Sequence, residues 1–79
     1  MIDATGFRTW LVESTGRKPV SAKDITSRMK RADKLLPWDA SDTYCYRILQ
    51  LPELKDLSIS SKSQIKGAAI LYAKYCAEK

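Results

Sequence analysis

The chain has 79 residues, the size of one small domain (residues 1–79), and its 44% hydrophobic and 29% charged content is typical of a folded soluble globule. Its net charge of +5 and pI near 9.4 favour acidic partners, namely nucleic acid, an anionic membrane surface or an acidic protein. Histidine is absent, which removes the commonest general base and zinc ligand, so we predict no enzymatic activity, metal site, cofactor or small-molecule substrate.

The first helix is predicted over residues 5–14. Its apolar residues recur at the three- and four-residue steps of a buried face: Phe7, Trp10 and Leu11. Asp3 or Thr5 is expected to cap the helix, because either side chain places an oxygen near the free amides of the first turn. Gly16 is expected to end it, since glycine adopts the left-handed conformation after a helix at little cost.

The second helix is predicted over residues 21–36, before Pro37. One side of it is apolar and comprises Ala22, Ile25, Met29, Ala32 and Leu36. Ser21 and Asp24 have the spacing of a capping box, and Asp24 lies four residues before Arg28, the spacing of a surface ion pair.

The opposite side of this helix is basic and is the strongest functional feature of the sequence. Its residues are Lys23, Ser27, Lys30, Arg31 and Lys34. A helix with one apolar and one cationic face can pack on a small core and still offer charge to a polyanion. The sequence therefore favours binding to nucleic acid.

A third helix is predicted after a connection in which Asp39 or Ser41 can act as the cap. Its apolar positions are Tyr44, Ile48 and Leu51, flanked by Cys45 and Leu49. Pro52 interrupts this pattern and is expected to open a short extra turn over residues 52–57. Cys45 and Cys76 are far apart in the chain and are predicted to be free, buried thiols.

The last helix is predicted from Ser61 to about Cys76, with Ser61 and Gln64 as a second capping box. Its central stripe is Ile65, Ala69, Tyr72 and Cys76. Gly67 costs this helix about 1 kcal/mol relative to alanine, so we expect it to allow another backbone to approach closely. Ile59 is expected to point inward, and Ile70 toward the polar side.

The amino-terminal residues do not have the pattern of a signal peptide, and no apolar run reaches the ~20 residues of a membrane span. These observations predict a cytoplasmic protein. The sequence gives only weak support for a role at a membrane surface. Helices that lie on membranes combine a bulky aromatic face with a uniformly basic one, and no helix here does so.

The order and spacing of these elements resemble a known family. The residues that carry the likeness are Phe7-x-x-Trp10-Leu11, Ser21-Ala22-x-x-Ile25-x-x-x-Met29 and Ser63-Gln64-Ile65-x-x-Ala68-x-x-x-Tyr72-x-x-Tyr75. Together they are similar to the N-terminal core-binding domain of phage-integrase-type tyrosine recombinases. The likeness covers nearly the whole chain, but the family usually has threonine and tyrosine where this chain has Ser21 and Ile25. The catalytic domain of those DNA-recombination enzymes is absent from this sequence.

This resemblance implies an all-α fold, a small four-helix, SAM-like orthogonal bundle. It also implies a DNA-binding role, because the second and fourth helices of such domains face double-stranded DNA. Carried onto this chain, that surface comprises Lys23, Ser27, Lys30, Arg31 and Lys34 on the second helix and Lys62, Ser63 and Lys66 on the last. Lysine and serine suit contacts to phosphates better than base readout, which only Arg31 or Gln64 could supply.

The alternative is a protein-interaction module, such as a phage-type or accessory protein that binds and modulates another protein. Its candidate anchors are Trp38, Tyr46 and Ile70, because aromatic residues dominate interface hot spots. Burial of Trp38 in the core, after Pro37, is the favoured interpretation of that residue. The two functions differ in their expected salt dependence, which is steep for DNA and weak for a protein partner.

Overall fold

The computed structural model describes residues 2–78, which form five α-helices and, over that range, no β-strand. The helices are α1 (Ala4–Glu13), α2 (Pro19–Leu35), α3 (Tyr44–Leu49), α4 (Pro52–Lys55) and α5 (Ile59–Glu78). The all-α prediction is confirmed. Helix α4 corresponds to the short extra turn expected after the third predicted helix, and it begins at its proline, where the missing amide hydrogen removes no helical bond.

Asp3 is the residue that caps α1. Its carboxylate accepts a hydrogen bond from the backbone amide of Gly6, with an N–O distance of 3.1 Å. Thr5, the other predicted cap, lies inside the helix. Gly16 follows α1 with a φ of +71°, as predicted, and this conformation is one that glycine adopts without a steric penalty.

Helix α2 begins two residues earlier than predicted. Pro19 occupies its first turn, because the proline ring fixes φ near the helical value. Lys18 is the N-cap residue and makes no capping hydrogen bond with its side chain. Ser21 and Asp24 therefore lie within the helix, and the capping box predicted for them is wrong. At the other end, the Asp33 carboxylate accepts a 2.9 Å hydrogen bond from the Trp38 amide and closes the connection to α3.

Asp39 and Ser41 organise the connection before α3 but do not cap the helix itself. Asp39 accepts a hydrogen bond from the Ser41 amide at 3.0 Å, and the Ser41 hydroxyl accepts one from the Thr43 amide at 3.1 Å. Thr43 is the N-cap residue and makes no side-chain capping bond. Asp39 and Ser41 thus bond to amides in the turn that precedes α3. The prediction that one of them caps the helix is therefore wrong.

The ion pair within residues 2–78 joins Asp39 to Arg47 of α3 rather than Asp24 to Arg28. The Arg47 guanidinium holds the pKa of the Asp39 carboxyl below its ordinary value. Both side chains are partly exposed, so this pair orders the connection without adding much stability.

Helix α5 begins at Ile59, two residues before its predicted start. The Ser58 hydroxyl accepts a hydrogen bond from the Ser61 amide at 3.2 Å, which makes Ser58 the residue that satisfies the first turn. The capping box predicted for Ser61 and Gln64 is therefore wrong. Ile59 is 83% exposed rather than buried, because it falls well away from the stripe centred on Tyr72 at 100° per residue.

The core lies where α1, α2 and α5 pack on one another and where α3 packs on α5 and α4. The buried residues are Phe7, Leu11, Ala22, Thr26, Met29, Ala32, Tyr44, Ile48, Leu54, Ile65, Ala68, Ala69, Tyr72 and Tyr75. Most of both predicted stripes is among them, but Ile25, Leu36 and Cys76 are only partly buried. Thr26 is buried beside Ile25, and its hydroxyl donates a 2.8 Å hydrogen bond to the Ala22 carbonyl, which removes the cost of burying it.

Aromatic rings join the two ends of the chain. Phe7 of α1 meets Tyr72 of α5 edge to face, with ring centroids 5.0 Å apart. Trp38 packs edge to face on the same tyrosine at 5.1 Å and is half-buried. The Tyr72 hydroxyl accepts a 2.9 Å hydrogen bond from the Asp3 amide, and the Tyr75 hydroxyl donates a 2.8 Å bond to the Asp3 carboxylate. These contacts fix the start of α1 against the carboxyl-terminal half of α5.

Gly6, not Gly67, is the glycine that close packing requires. A Cβ atom added at Gly6 would overlap the Tyr75 hydroxyl and the Asp3 carboxylate, whose Cγ would lie at 2.9 Å. A Cβ atom added at Gly67 would meet no atom within 4 Å outside its own helix among the described residues. The close approach expected at Gly67 is therefore wrong, because neighbouring elements pack on other sides of α5.

Candidate nucleic-acid interface

Helix α2 presents its predicted basic side chains on a single outward face. Its buried residues define the opposite side, centred on Met29. At 100° per residue, the cationic residues and Ser27 span about 100° of the helix circumference, starting about 100° from Met29. The members of this face, which we call the α2 basic face, are all exposed: Lys23, Ser27, Lys30, Arg31 and Lys34.

The α2 basic face is available for charge contacts. Within residues 2–78, the ion pair that forms involves neither α2 nor its cations. Helix α2 carries five cationic and two acidic side chains, and Asp33 is used by the Trp38 amide. Asp24 is the acid that lies at the edge of the basic face. The net positive charge of this surface is therefore not cancelled by its own helix.

Helix α1 adds a cation that the sequence interpretation missed. Arg8 lies across a groove of about 250 Å³ from Lys30, between α1 and α2. The groove is lined by Ala4, Thr5, Arg8, Thr9, Thr26 and Lys30. The spacing of Thr5, Arg8 and Thr9 places them on one side of α1, which was visible in the sequence. That this side borders the basic edge of α2 depends on how the two helices pack.

The last helix carries the other three residues predicted to contact DNA, Lys62, Ser63 and Lys66. Ser63 and Lys66 are exposed and Lys62 is half-buried. The charge of Lys66 acts on Cys45 of α3, where it opposes the rise in the pKa of that thiol caused by burial. Lys66 is thus within electrostatic reach of α3. The five residues of α2 share one exposed face, whereas the three predicted residues of α5 follow on a separate helix, and two of them are exposed.

Two tyrosines with strongly raised pKa values make hydrogen bonds that join elements of the fold. Burial raises the pKa of Tyr44 to about 12, and its hydroxyl donates a 2.6 Å hydrogen bond to the Leu36 carbonyl. The hydrogen bond to the Asp3 carboxylate, followed by burial, raises the pKa of Tyr75 to about 12. Over residues 2–78, no cluster of three or more potential ligands is placed to hold a metal ion.

A second, mainly apolar groove of about 530 Å³ lies between the connection before α3 and the second half of α5. Its walls include Trp38, Cys45, Ile70 and Cys76. Both cysteines are free, as predicted, but half-buried, and Ile70 is 50% exposed on the polar side, as predicted. Tyr46 is 69% exposed and does not line the groove, which brings together the other two anchors proposed for a protein partner, Trp38 and Ile70.

Among the described residues, no helix has both the length and the apolar character that a membrane span requires. No protein-family model, no curated protein and no solved structure matches this chain.

Proposed function

We propose that this chain is a small DNA-binding helical module that contacts the backbone of double-stranded DNA through the α2 basic face. The observation that carries the proposal is the grouping of four exposed cations, Lys23, Lys30, Arg31 and Lys34, on one side of a helix whose other side is buried. Arg8 enlarges this positive surface across the groove to α1. The resemblance to recombinase core-binding domains supports the same role.

The dimensions of the α2 basic face suit a nucleic acid backbone. From Lys23 to Lys34 the helix rises about 16 Å, at 1.5 Å per residue. Duplex DNA carries one negative charge per ~1.7 Å of its axis, so about ten phosphate charges lie along that length. Four cations in contact with phosphates give an expected slope of log affinity against log salt of about −3.6. Affinity would then fall on the order of 150-fold between ~50 and ~200 mM salt.

The contacts proposed here position the protein and read little sequence. Helix α2 contains no asparagine or glutamine, the side chains that pair most specifically with adenine. Arg31 is the residue of the face best suited to a guanine contact, because a guanidinium can donate two parallel hydrogen bonds. We therefore expect weak sequence preference and assign these residues binding, not strand cleavage.

The test is a fluorescence-anisotropy titration of a labelled duplex of mixed sequence at low and physiological salt. We expect micromolar binding at low salt that weakens steeply as salt rises, and its loss in the Lys30→Glu/Lys34→Glu variant. The matched control is Lys55→Glu/Lys74→Glu, which reverses two exposed lysines on α4 and α5 and changes the net charge equally. Equal losses in both variants would mean that only net charge matters and would overturn the proposal.

The protein-interaction alternative depends on the apolar groove beside α5. Ile70 lines this groove and is half-exposed, so Ile70→Asp places a charge on its wall. If the chain binds no DNA even at low salt, a partner captured by affinity purification should be lost with Ile70→Asp and retained with Lys30→Glu/Lys34→Glu. That pattern would replace the DNA-binding proposal with the alternative.

A further inference from the structure

We propose that the groove between α1 and α2 is a phosphate subsite, in which Arg8 and Lys30 hold one phosphate group from opposite walls. The inference rests on the proposed DNA-binding function and deepens it, because it names the point at which a backbone phosphate is fixed. Arg8 was not part of the surface predicted from the sequence. The structure places it against α2, where it lines the same 250 Å³ groove as Lys30.

Core packing, rather than a flexible loop, fixes the backbone positions of Arg8 and Lys30. Phe7 and Leu11, on either side of Arg8 in the sequence, are completely buried, and Met29, next to Lys30, is completely buried as well. The separation of the two backbone positions is therefore set by the packing of α1 on α2. A site on rigid elements loses little conformational freedom when its ligand binds, and this favours affinity.

The chemistry of the walls fits a tetrahedral oxyanion. The Arg8 guanidinium can donate two parallel hydrogen bonds to phosphate oxygens, and the Lys30 ammonium contributes a point charge. Thr5 and Thr9 lie one turn apart on the same side of α1 and add hydroxyl donors. The volume of 250 Å³ is below the ~300–1,000 Å³ of sites for drug-sized ligands, so the groove suits a phosphate group rather than a complete nucleotide.

The acidic side chains nearby lie outside the lining of this groove. Asp3 lies at the start of α1, but its carboxylate already accepts hydrogen bonds from the Gly6 amide and the Tyr75 hydroxyl on α5. Glu13 lines an adjoining groove of about 230 Å³ together with Arg8. The phosphate groove itself has no acidic residue among those that line it in the described part of the chain.

The experiment compares Arg8→Gln with Lys55→Gln, because each substitution removes one exposed positive charge. In the duplex titration, Arg8→Gln should weaken binding about tenfold at low salt, while Lys55→Gln leaves the affinity unchanged. Lys30→Gln should behave like Arg8→Gln. The double variant should lose less than the product of the two single losses, because both side chains hold the same phosphate.

A second arm titrates inorganic phosphate and follows the backbone amide NMR resonances. Phosphate should shift the resonances of Thr5, Arg8 and Thr9 in the wild type, and these shifts should disappear in Arg8→Gln. The spectrum of the variant also shows whether it is folded. Resonances in the groove that do not respond to phosphate would contradict the subsite.

The two arms separate failure of the subsite from failure of the proposed function. In one outcome the wild type binds DNA, Lys30→Glu/Lys34→Glu abolishes that binding, and Arg8→Gln has the same DNA affinity as Lys55→Gln. This outcome overturns the subsite and leaves the DNA-binding proposal standing. If the groove binds inorganic phosphate but the chain binds no duplex, the DNA proposal is overturned and the subsite is assigned to a free phosphate group. If neither binds, both proposals are overturned.

Discussion

Replacing Gly6 with alanine should destabilise the protein, whereas the same change at Gly67 should stabilise it. Both glycines lie in helices, where alanine is favoured by about 1 kcal/mol. At Gly6, however, the added methyl group overlaps the Tyr75 hydroxyl and the Asp3 carboxylate. At Gly67 it meets no atom within 4 Å beyond the helix among the described residues. The two substitutions thus share their intrinsic gain and differ only in their surroundings.

The size of the destabilisation in Gly6→Ala follows from the contacts that the added methyl group breaks. Moving the Tyr75 hydroxyl away breaks its hydrogen bond to a carboxylate, a loss of about 1.5–3 kcal/mol. Moving Asp3 weakens the cap of α1, which is worth about 1 kcal/mol. After the helix-propensity gain, we expect a net loss of about 1.5–3 kcal/mol in the free energy of unfolding. For a domain of this size each 1 kcal/mol shifts Tm by about 4–8 °C.

The assay is thermal and urea unfolding followed by far-UV circular dichroism. Gly6→Ala should lower Tm, and Gly67→Ala should raise it by about 4–8 °C. In a Tyr75→Phe background the cost of Gly6→Ala should shrink, because the overlapping hydroxyl is gone. A Gly6→Ala protein as stable as the wild type would refute the proposed clash and, with it, the close packing of α1 on α5.

Two further predictions concern stability. Tyr44 and Tyr75 have pKa values raised to about 12 in the folded protein against about 10 unfolded, so their contribution is complete below about pH 10 and is lost as the pH rises toward 12. Urea unfolding across that range should show stability falling with pH, and the fall should be shallower in Tyr75→Phe; an unchanged pH profile would contradict the role of this hydroxyl. Ala40 has a φ of +60°, a conformation that strains a residue with a Cβ atom by about 1–2 kcal/mol. Ala40→Gly should therefore raise the free energy of unfolding by about 0.5–1 kcal/mol. The control Ala73→Gly, on the exposed side of α5, should lower it by about 1 kcal/mol. A loss of stability in Ala40→Gly would show that the turn needs its alanine.

The residues at which α2 and α5 begin could not be predicted from the sequence alone. Both Ser21 and Ser61 have the spacing of a capping box, yet each lies within a helix that begins two residues earlier, at Pro19 and Ile59. A capping pattern shows only that a side chain can satisfy a first-turn amide. Which residue does so depends on where the chain enters the helix, and here Pro19 and the Ser58 hydroxyl decide it.

The sequence also predicted one part of the candidate interface and missed another. The grouping of Lys23, Lys30 and Lys34 on one side of α2 follows from the helical repeat of 3.6 residues, so the sequence predicts it correctly. Arg8 was missed because its place beside Lys30 depends on the packing of α1 against α2. Lys66 was assigned to the same surface from the resemblance, and its charge also acts on Cys45 of α3, which the sequence did not indicate.

The sequence by itself determined the all-α character of residues 2–78, the buried stripes of the long helices and the basic face of α2. These properties depend on residues within one or two turns of each other, where the geometry of the helix fixes which side chains share a side. Only the tertiary structure decided that Arg8 and Lys30 line one groove and that Gly6 must lack a side chain. Those outcomes depend on which faces of different helices meet, because packing between distant segments is set by the fit of many side chains at once.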